Sequence, residues 1–304
     1  MKLLSFSIDN QHRFGALLSG ERVMDLTTVY PTALSFLEAG EFGMTSVLSA
    51  IERAERGEAL AGPLRTLDTV RLRPPIPQAR KLLALAGNYN EHVKEGGRPT
   101  FPKEETYPYF FMKPPSTGLV GHEAEVIIPR MARKLDYEGE LAIVIGTRAK
   151  DVTAERAYRC VAGYTIVNDV SERSLASKDP PRAERERDKF FDWLVGKWFD
   201  GGAPCGPWLV TKDEIEDPHT LRLRSRVNGE TRQDSNTNEM AFSVPEIIEW
   251  ISRIVTLEPG DLIATGTPAG VGMGRGTFLK PGDVVEIDIE RIGTLRNTFV
   301  APEE

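Results

Sequence analysis

The chain has 304 residues and carries 38 Lys and Arg against 45 Asp and Glu, for a formal net charge of −7 and a pI near 5.4. That balance argues against nucleic acid as a partner, and an acidic protein that takes an acidic substrate needs a local cation, either a metal ion or lysine. With 40% hydrophobic residues, no run long enough for a membrane span and no basic-then-apolar leader, a soluble cytoplasmic protein is expected. Cys160 and Cys205 form neither a metal-ligand spacing nor a disulfide framework.

In chain order, residues 1–73 read as a small N-terminal α+β domain. Short strands are predicted at 3–8, 14–18 and 22–26, and helical spacing at 33–39 and 46–56. His12 is a surface hairpin residue. Arg73-Pro74-Pro75-Ile76-Pro77 is a stiff linker, so the predicted boundaries are 1–73, a Pro-rich linker 74–79, and a larger domain over 80–304.

Residues 81–86 form a short apolar strand leading to a helix that Asn90 caps and Gly96-Gly97 ends. On it His92 and Glu95 are i, i+3 neighbours. A carboxylate beside an imidazole raises its basicity and fixes its tautomer, as a general base requires, although an ordinary exposed pair has the same spacing. Residues 96–105, rich in Gly, Pro and charge, have the composition of a mobile lid. The strand at 109–112 ends at Lys113, which is either a substrate-facing cation or a plain strand-end lysine. His122-Glu123 falls in a turn and reads as structural.

Residues 135–146, Leu-Asp-Tyr-Glu-Gly-Glu-Leu-Ala-Ile-Val-Ile-Gly, are predicted as the central strand. Residues two apart in a strand share a face, so Asp136, Glu138 and Glu140 point the same way. Glu138 and Glu140 lie about 7 Å apart at the backbone, and their side chains can converge on one hard cation at about 2.1 Å from each oxygen. Without a cation, burying like charges this close is costly. The two readings are a Mg²⁺ or Mn²⁺ site and an exposed edge strand with solvated acids. Gly139 leaves the other face bare, which points to a close neighbour.

A helix is predicted at 151–161 and a strand at 161–169, where Asp169 supplies a third carboxylate. Residues 171–192, dense in charge around Pro180-Pro181, read as a solvated loop or second flap. Gly196-Lys197 lacks the glycine spacing and following Ser or Thr of a phosphate loop. Lys197 is therefore a buried cation or a surface lysine, and Trp193 and Trp198 around it favour burial. A hairpin turns at Asn228-Gly229, a helix covers 243–254, and His219 is a loop residue without an evident partner. The glycines of 266–272 let backbone N–H groups approach an anion. A dinucleotide fingerprint is rejected there, because the third glycine and a following helix are missing.

Together these segments resemble the fumarylacetoacetate hydrolase family over residues 75–300. Five motifs occur in the family's order: Gly87-Asn88-Tyr89-x-x-His92-x-x-Glu95, Asp136-Tyr137-Glu138-Gly139-Glu140-Leu141, Gly163-Tyr164-Thr165-Ile166-Val167-Asn168-Asp169, Gly196-Lys197, and Thr265-Gly266-Thr267-Pro268-x-Gly270-Val271-Gly272. The resemblance implies an α+β, β-rich fold, in which a mixed β-roll catalytic domain follows the small N-terminal domain, and a homodimer that binds Mg²⁺ or Mn²⁺. It makes Glu138, Glu140 and Asp169 the metal ligands. His92 and Glu95 become a catalytic dyad on a lid, and Lys197 a buried catalytic lysine. Lys113, Arg173 and Thr267 complete the set as substrate-binding residues. Two departures bear on the substrate. The family's Ala-Arg-Asp is replaced by Glu172-Arg173-Ser174, and a bulky Trp198 follows Lys197 where relatives often carry serine.

The expected reaction is hydrolysis of the C–C bond of an acylpyruvate-type 2,4-diketo acid. The substrate chelates the metal, His92 activates water, Lys197 holds the developing oxyanion, and pyruvate leaves as its enolate. On the same site the alternatives are decarboxylation of an oxaloacetate-like acid and keto–enol isomerisation. A non-catalytic metabolite-binding protein is the alternative of another class, and the intact His92, Glu95 and Lys197 count against it. The expected partners are a small anionic 2-oxo acid and a second copy of the chain, with no nucleic acid and no membrane.

Overall fold

A computed structural model describes residues 1–58, 60–100, 102–175, 183 and 185–303. Part of the charged stretch 171–192, including Pro180-Pro181 and the flap expected there, lies outside the described residues.

The fold is α+β and strand-rich. Strand Gly139–Ile145 is buried along its whole length, and so is its neighbour Val161–Asn168. Both sit inside a 12-stranded sheet. Gly139–Ile145 pairs with Val161–Asn168 on one side and Leu262–Ala264 on the other, and Leu82–Ala86 and Tyr109–Lys113 continue outward from there. Strict alternation splits its side chains between two cores. Leu141, Ile143 and Ile145 pack with Ile287, Ile289 and Phe299 of a second, 5-stranded sheet and with Ile247, Ile248 and Ile251 of helix Val244–Ile254. Ala142 and Val144 face the other core, with Phe14, Phe36 and Leu209. Each of these large apolar side chains stabilises the fold by about 1.5–3 kcal/mol, so the register of this strand is strongly specified. Glu140 belongs by the same alternation to the Ala142 face. Gly139 faces the second sheet, where an added Cβ would come within 3.0 Å of Ile287.

Composition separates residues 1–73 at the proline-rich stretch, yet in space they run on into the rest of the chain. Strand Lys2–Ile8 joins the main sheet through Lys2↔Val210 and Leu3↔Leu209, and Leu3, Phe14 and Phe36 share a core with Leu82 and Ala84. Ile76 is fully buried, and Ser5 Oγ donates to Pro75 O at 2.8 Å.

Several local expectations are revised. The central strand is broken into Leu135–Asp136 and Gly139–Ile145. The helix expected at 151–161 shrinks to Ala154–Ala157 and a 3-10 turn, Tyr158–Cys160. Helix Asn90–Glu95 starts one residue earlier than expected, with Tyr89 at its N-cap and no side-chain cap. A single helical turn, Gly272–Arg275, does follow the glycine loop. His219 has partners: its Nδ1 lies 3.0 Å from Asp217 Oδ1, and its Nε2 accepts from Val244 N at 3.0 Å, at the start of helix Val244–Ile254. No helix among the described residues is long and apolar enough to cross a membrane.

Candidate active site

Strand pairing gathers the acids. Asp169 N donates to Glu138 O at 2.9 Å just beyond the Glu140↔Val167 pair, so both strands deliver carboxylates to one face. Ligand atoms of Glu138, Glu140 and Asp169 lie within 4.8 Å of one another, and all three residues are buried. Two oxygens on opposite sides of a Mg²⁺-like ion are about 4.2 Å apart. The trio therefore fits a divalent cation after small side-chain adjustments. A second observation agrees: Glu140 Oε2 accepts from Gly266 N at 2.7 Å, whereas its buried Oε1 has no hydrogen-bond partner among the described residues. Burial, then the charges of Asp169 and Glu138, push the Glu140 carboxyl well above its ordinary range.

Three cations balance the acids in part. Lys197 Nζ donates to Glu138 Oε2 at 2.8 Å and to Asp169 Oδ2 at 2.6 Å, and only 3% of its side chain is exposed. Burial alone would lower its pKa, but the Asp169 and Glu138 carboxylates outweigh this and raise it. Lys113 Nζ donates to Asp169 Oδ1 at 2.6 Å and to Val170 O at 2.9 Å. Its pKa is lowered, chiefly by burial. Lys113 stands behind Asp169, and the residues that line the cavity do not include it. Arg173 Nε donates to Asp136 Oδ2 at 3.1 Å and its Nη2 to Glu138 Oε1. Burial opposes ionisation of Glu138, yet Lys197 and Arg173 hold its carboxyl far below the usual range.

A cavity of about 460 Å³ opens over this cluster. Glu138, Glu140, Lys197, Arg173, Thr267 and His92 all reach its wall. His92 Nδ1 is 3.5 Å from Glu95 Oε2, an ion-pair distance beyond a good hydrogen bond, and among the described residues Nδ1 has no hydrogen-bond partner. Glu95 is seated by the glycine loop: both its oxygens accept from Gly270 N, at 3.0 and 3.1 Å, and a side chain at Gly274 would fall on its carboxylate. Burial would raise its pKa, but His92 and the Gly270 N–H more than offset this, and the group lies below its ordinary value. Residues 96–105 touch helix Val244–Ile254 through Lys103, whose Nζ is 2.5 Å from Glu246 Oε1, and just beyond them Tyr107 stacks on Trp250 at 4.5 Å.

The anions that the glycine loop approaches are the chain's own carboxylates. Gly266 N serves Glu140, Gly270 N serves Glu95, and Gly272 N and Met273 N serve Asp136 at 2.6 and 3.0 Å. Asp136 thus turns away from Glu138 and Glu140, because the strand breaks at Tyr137-Glu138. The Thr267 hydroxyl donates to Gly139 O at 2.9 Å and accepts from Gln233 at 2.7 Å. Trp198 does not line the cavity; it is half exposed, and its Nε1 donates to Met112 O at 2.6 Å. Glu172, one of the departures in sequence, accepts backbone N–H groups from Arg133, Lys134 and Ser174.

Two positioning residues escape sequence reasoning. Gln233 accepts from Gly139 N at 3.1 Å and donates to Thr267 Oγ1 and to Pro268 O at 2.8 Å, tying the acid strand to the glycine loop. Asn88 donates to Thr265 O at 2.8 Å and to Phe242 O at 3.1 Å, and accepts from Phe242 N at 2.8 Å.

A strand-rich α+β fold thus places a cavity over a buried acidic trio that could hold a metal ion, with His92 of the His–Glu pair on its wall. The chain belongs to the fumarylacetoacetate hydrolase family: residues 81–300 match its model, described as fumarylacetoacetate (FAA) hydrolase C-terminal. It is 40% identical over 288 residues to the mitochondrial oxaloacetate tautomerase FAHD2A of Bos taurus, covering 93% of this chain and 85% of that protein. The solved fumarylacetoacetate hydrolase of Exiguobacterium antarcticum superposes with a TM-score of 0.79 at 35% identity, covering 99% of this chain and 100% of the other. Maleylpyruvate hydrolase of Sphingobium sp. SYK-6, solved with manganese(II) and pyruvate, gives a TM-score of 0.77 at 29% identity over 100% of both chains. The family and these neighbours are enzymes, among them a tautomerase and hydrolases.

Proposed function

We propose that this chain is a divalent-metal-dependent enzyme acting on a small anionic 2-oxo acid, and that its reaction is keto–enol tautomerisation of an oxaloacetate-type acid. The observation that carries the reading is that Glu138 and Glu140 of the acidic trio, Lys197 and His92 line one cavity, with Asp169 and Glu95 directly behind them. The 40% identity to an oxaloacetate tautomerase over nearly the whole chain supports this choice of reaction. Glu138, Glu140 and Asp169 would hold Mg²⁺ or Mn²⁺, which as a Lewis acid acidifies the C3–H bond of a 2-oxo acid.

His92 takes the C3 proton, the C–H electron pair becomes the C2=C3 bond, and O2 gains the negative charge. Lys197 stabilises that charge, and the proton taken by His92 is passed to O2, which gives the enol and returns the imidazole to its neutral state. Glu95 orients the imidazole, and the aromatic wall of Phe111 and Trp193 keeps bulk water from the enolate. Arg173 and Thr267 fix the walls against which the substrate sits. The enzyme works as a homodimer.

Hydrolysis of an acylpyruvate-type C–C bond is the second reading, and the likeness to maleylpyruvate hydrolase favours it. It needs the same residues with His92 activating a water molecule, whereas decarboxylation needs no such water. Incubating the Mg²⁺- or Mn²⁺-loaded protein with enol-oxaloacetate and with acylpyruvates separates them. Accelerated loss of the enol absorbance without CO₂ supports tautomerisation, release of two acids supports hydrolysis, and CO₂ release supports decarboxylation. A protein inert towards all of these substrates would sink the enzymatic reading.

A further inference from the structure

Among the described residues, four cations line the cavity: Arg98, Lys103, Arg173 and Lys197. Three are committed to carboxylates of the chain, Lys103 to Glu246, Arg173 to Asp136 and Glu138, and Lys197 to Glu138 and Asp169. Arg98 is exposed, and among the described residues no side-chain partner engages its guanidinium. Its backbone is nevertheless fixed. Gly97 N donates to Lys94 O at 2.9 Å and Arg98 N to Val93 O at 3.2 Å, with Gly97 in the left-handed region at φ 68°. This paired closure of a helix end ties Arg98 rigidly to the helix that bears His92 and Glu95. Exposed Arg98 thus shares one cavity with buried Lys197, Glu138 and Glu140. Phe111 and Trp193 line the same cavity, with Lys197 Nζ over the Phe111 ring at 5.1 Å.

We infer that Arg98 is the specificity-determining residue for the distal carboxylate of the 2-oxo diacid. This rests on the 2-oxo acid reading of the site. A guanidinium offers a planar fork of donors matched to a carboxylate, and one with no carboxylate of its own loses no internal partner when a ligand arrives. Arg98 is exposed, so the preference weakens as salt rises.

The test is calorimetric titration of the Mn²⁺-loaded full-length protein with 2-oxoglutarate and with 2-oxopentanoate. These ligands share the 2-oxo acid head and differ in a distal carboxylate against a methyl group. The wild type is expected to bind the diacid about tenfold more tightly or better. Arg98→Gln should bring the ratio to within about twofold, and Arg98→Lys should keep part of the preference because it retains the charge without the fork. A ratio unchanged in Arg98→Gln overturns the inference, as does a wild type without preference or without binding of either acid. Turnover of enol-oxaloacetate is read separately. Its absence alongside an Arg98-dependent ratio would sink the proposed reaction and leave the role of Arg98 standing.

Discussion

The backbone N–H of Asp169 donates to Glu138 O at 2.9 Å, and this bond at the end of two adjoining strands sets carboxylates far apart in sequence side by side. Neither acid is held by solvent. Lys197 bridges them from one side, Lys113 and Arg173 approach from others, and Glu140 completes the trio with one oxygen unpartnered among the described residues. Four carboxylates, counting Asp136, therefore meet three cations in this cluster, and a divalent ion suits the residual negative charge.

Removing Glu140 should abolish metal dependence without unfolding the chain. Glu140→Ala removes the acid that suffers most from burial among like charges, so the metal-free variant should stay folded. In the wild type, Mn²⁺ at one hundred times its Kd should stabilise the fold by about 2.7 kcal/mol, visible as a rise in Tm. The variant should show no such rise and no metal-dependent turnover. An unchanged Mn²⁺ affinity by calorimetry would refute the ligand assignment.

His92 should matter for chemistry and not for metal binding. It lines the cavity with Glu138 and Glu140, but its ring nitrogen Nδ1 faces Glu95. His92→Ala should lower kcat by roughly 10²–10⁴-fold, the usual worth of a general base. Mn²⁺ affinity should stay within about threefold, since no ligand is lost. The effect should fall on proton abstraction or water activation and be far milder on any decarboxylation. Near-normal turnover of both enol-oxaloacetate and an acylpyruvate by the variant would remove His92 from the mechanism.

What was legible in the sequence followed from local periodicity. Alternation along residues 139–145 yields a strand with Glu140 on one face, and the β-rich run ending at Asp169 marks a strand terminus. The same rule misplaces Asp136, because the strand breaks before Glu138 and the Gly272 and Met273 N–H groups capture its carboxylate. Asn88 lay inside a recognised motif, but its bonds to Thr265 and Phe242 depend on chain segments that meet only in the fold. Gln233 carried no signal at all. A single glutamine in a hairpin strand looks like any solvent-facing polar residue until the second sheet packs against Gly139. At the end of its strand Lys113 fits either a substrate-facing or a plain strand-end lysine, and burial against Asp169 gives it a third role, that of a counter-ion.

Gln233 should prove one of the costliest polar residues to replace. Its amide satisfies Gly139 N, Thr267 Oγ1 and Pro268 O in a site where the side chain is 1% exposed. Gln233→Leu keeps much of the volume and strands buried polar groups, each worth about 1–3 kcal/mol. A loss of at least about 2 kcal/mol in urea unfolding is expected, together with reduced kcat because the acid strand is no longer tied to the glycine loop. A variant as stable as the wild type would show that water replaces the amide.

A homodimer is expected, because strand Tyr109–Lys113 ends the main sheet with no strand on its outer edge among the described residues and exposes Tyr109 and Met112. Such an edge needs covering. Sedimentation at micromolar concentration should give twice the chain mass, and a monomer across that range would be a miss.

Glu95 links the site to pH. Burial would raise its pKa, but His92 and the Gly270 N–H outweigh burial and lower it from 4.5. A carboxyl with a depressed folded-state pKa binds fewer protons folded than unfolded. Its contribution to stability is therefore fully present above 4.5 and is lost as pH falls through the lower folded value. Glu95→Gln removes this contribution while keeping an acceptor oxygen for Gly270. The Tm difference between wild type and variant should be constant from neutral pH down to the ordinary carboxylate range and should shrink in more acidic solution. Activity should fall at every pH, since an amide neither fixes the imidazole tautomer as strongly nor raises its basicity. A Tm difference that grows on acidification would mean that Glu95 is held protonated, and so could not act as the partner of a catalytic histidine.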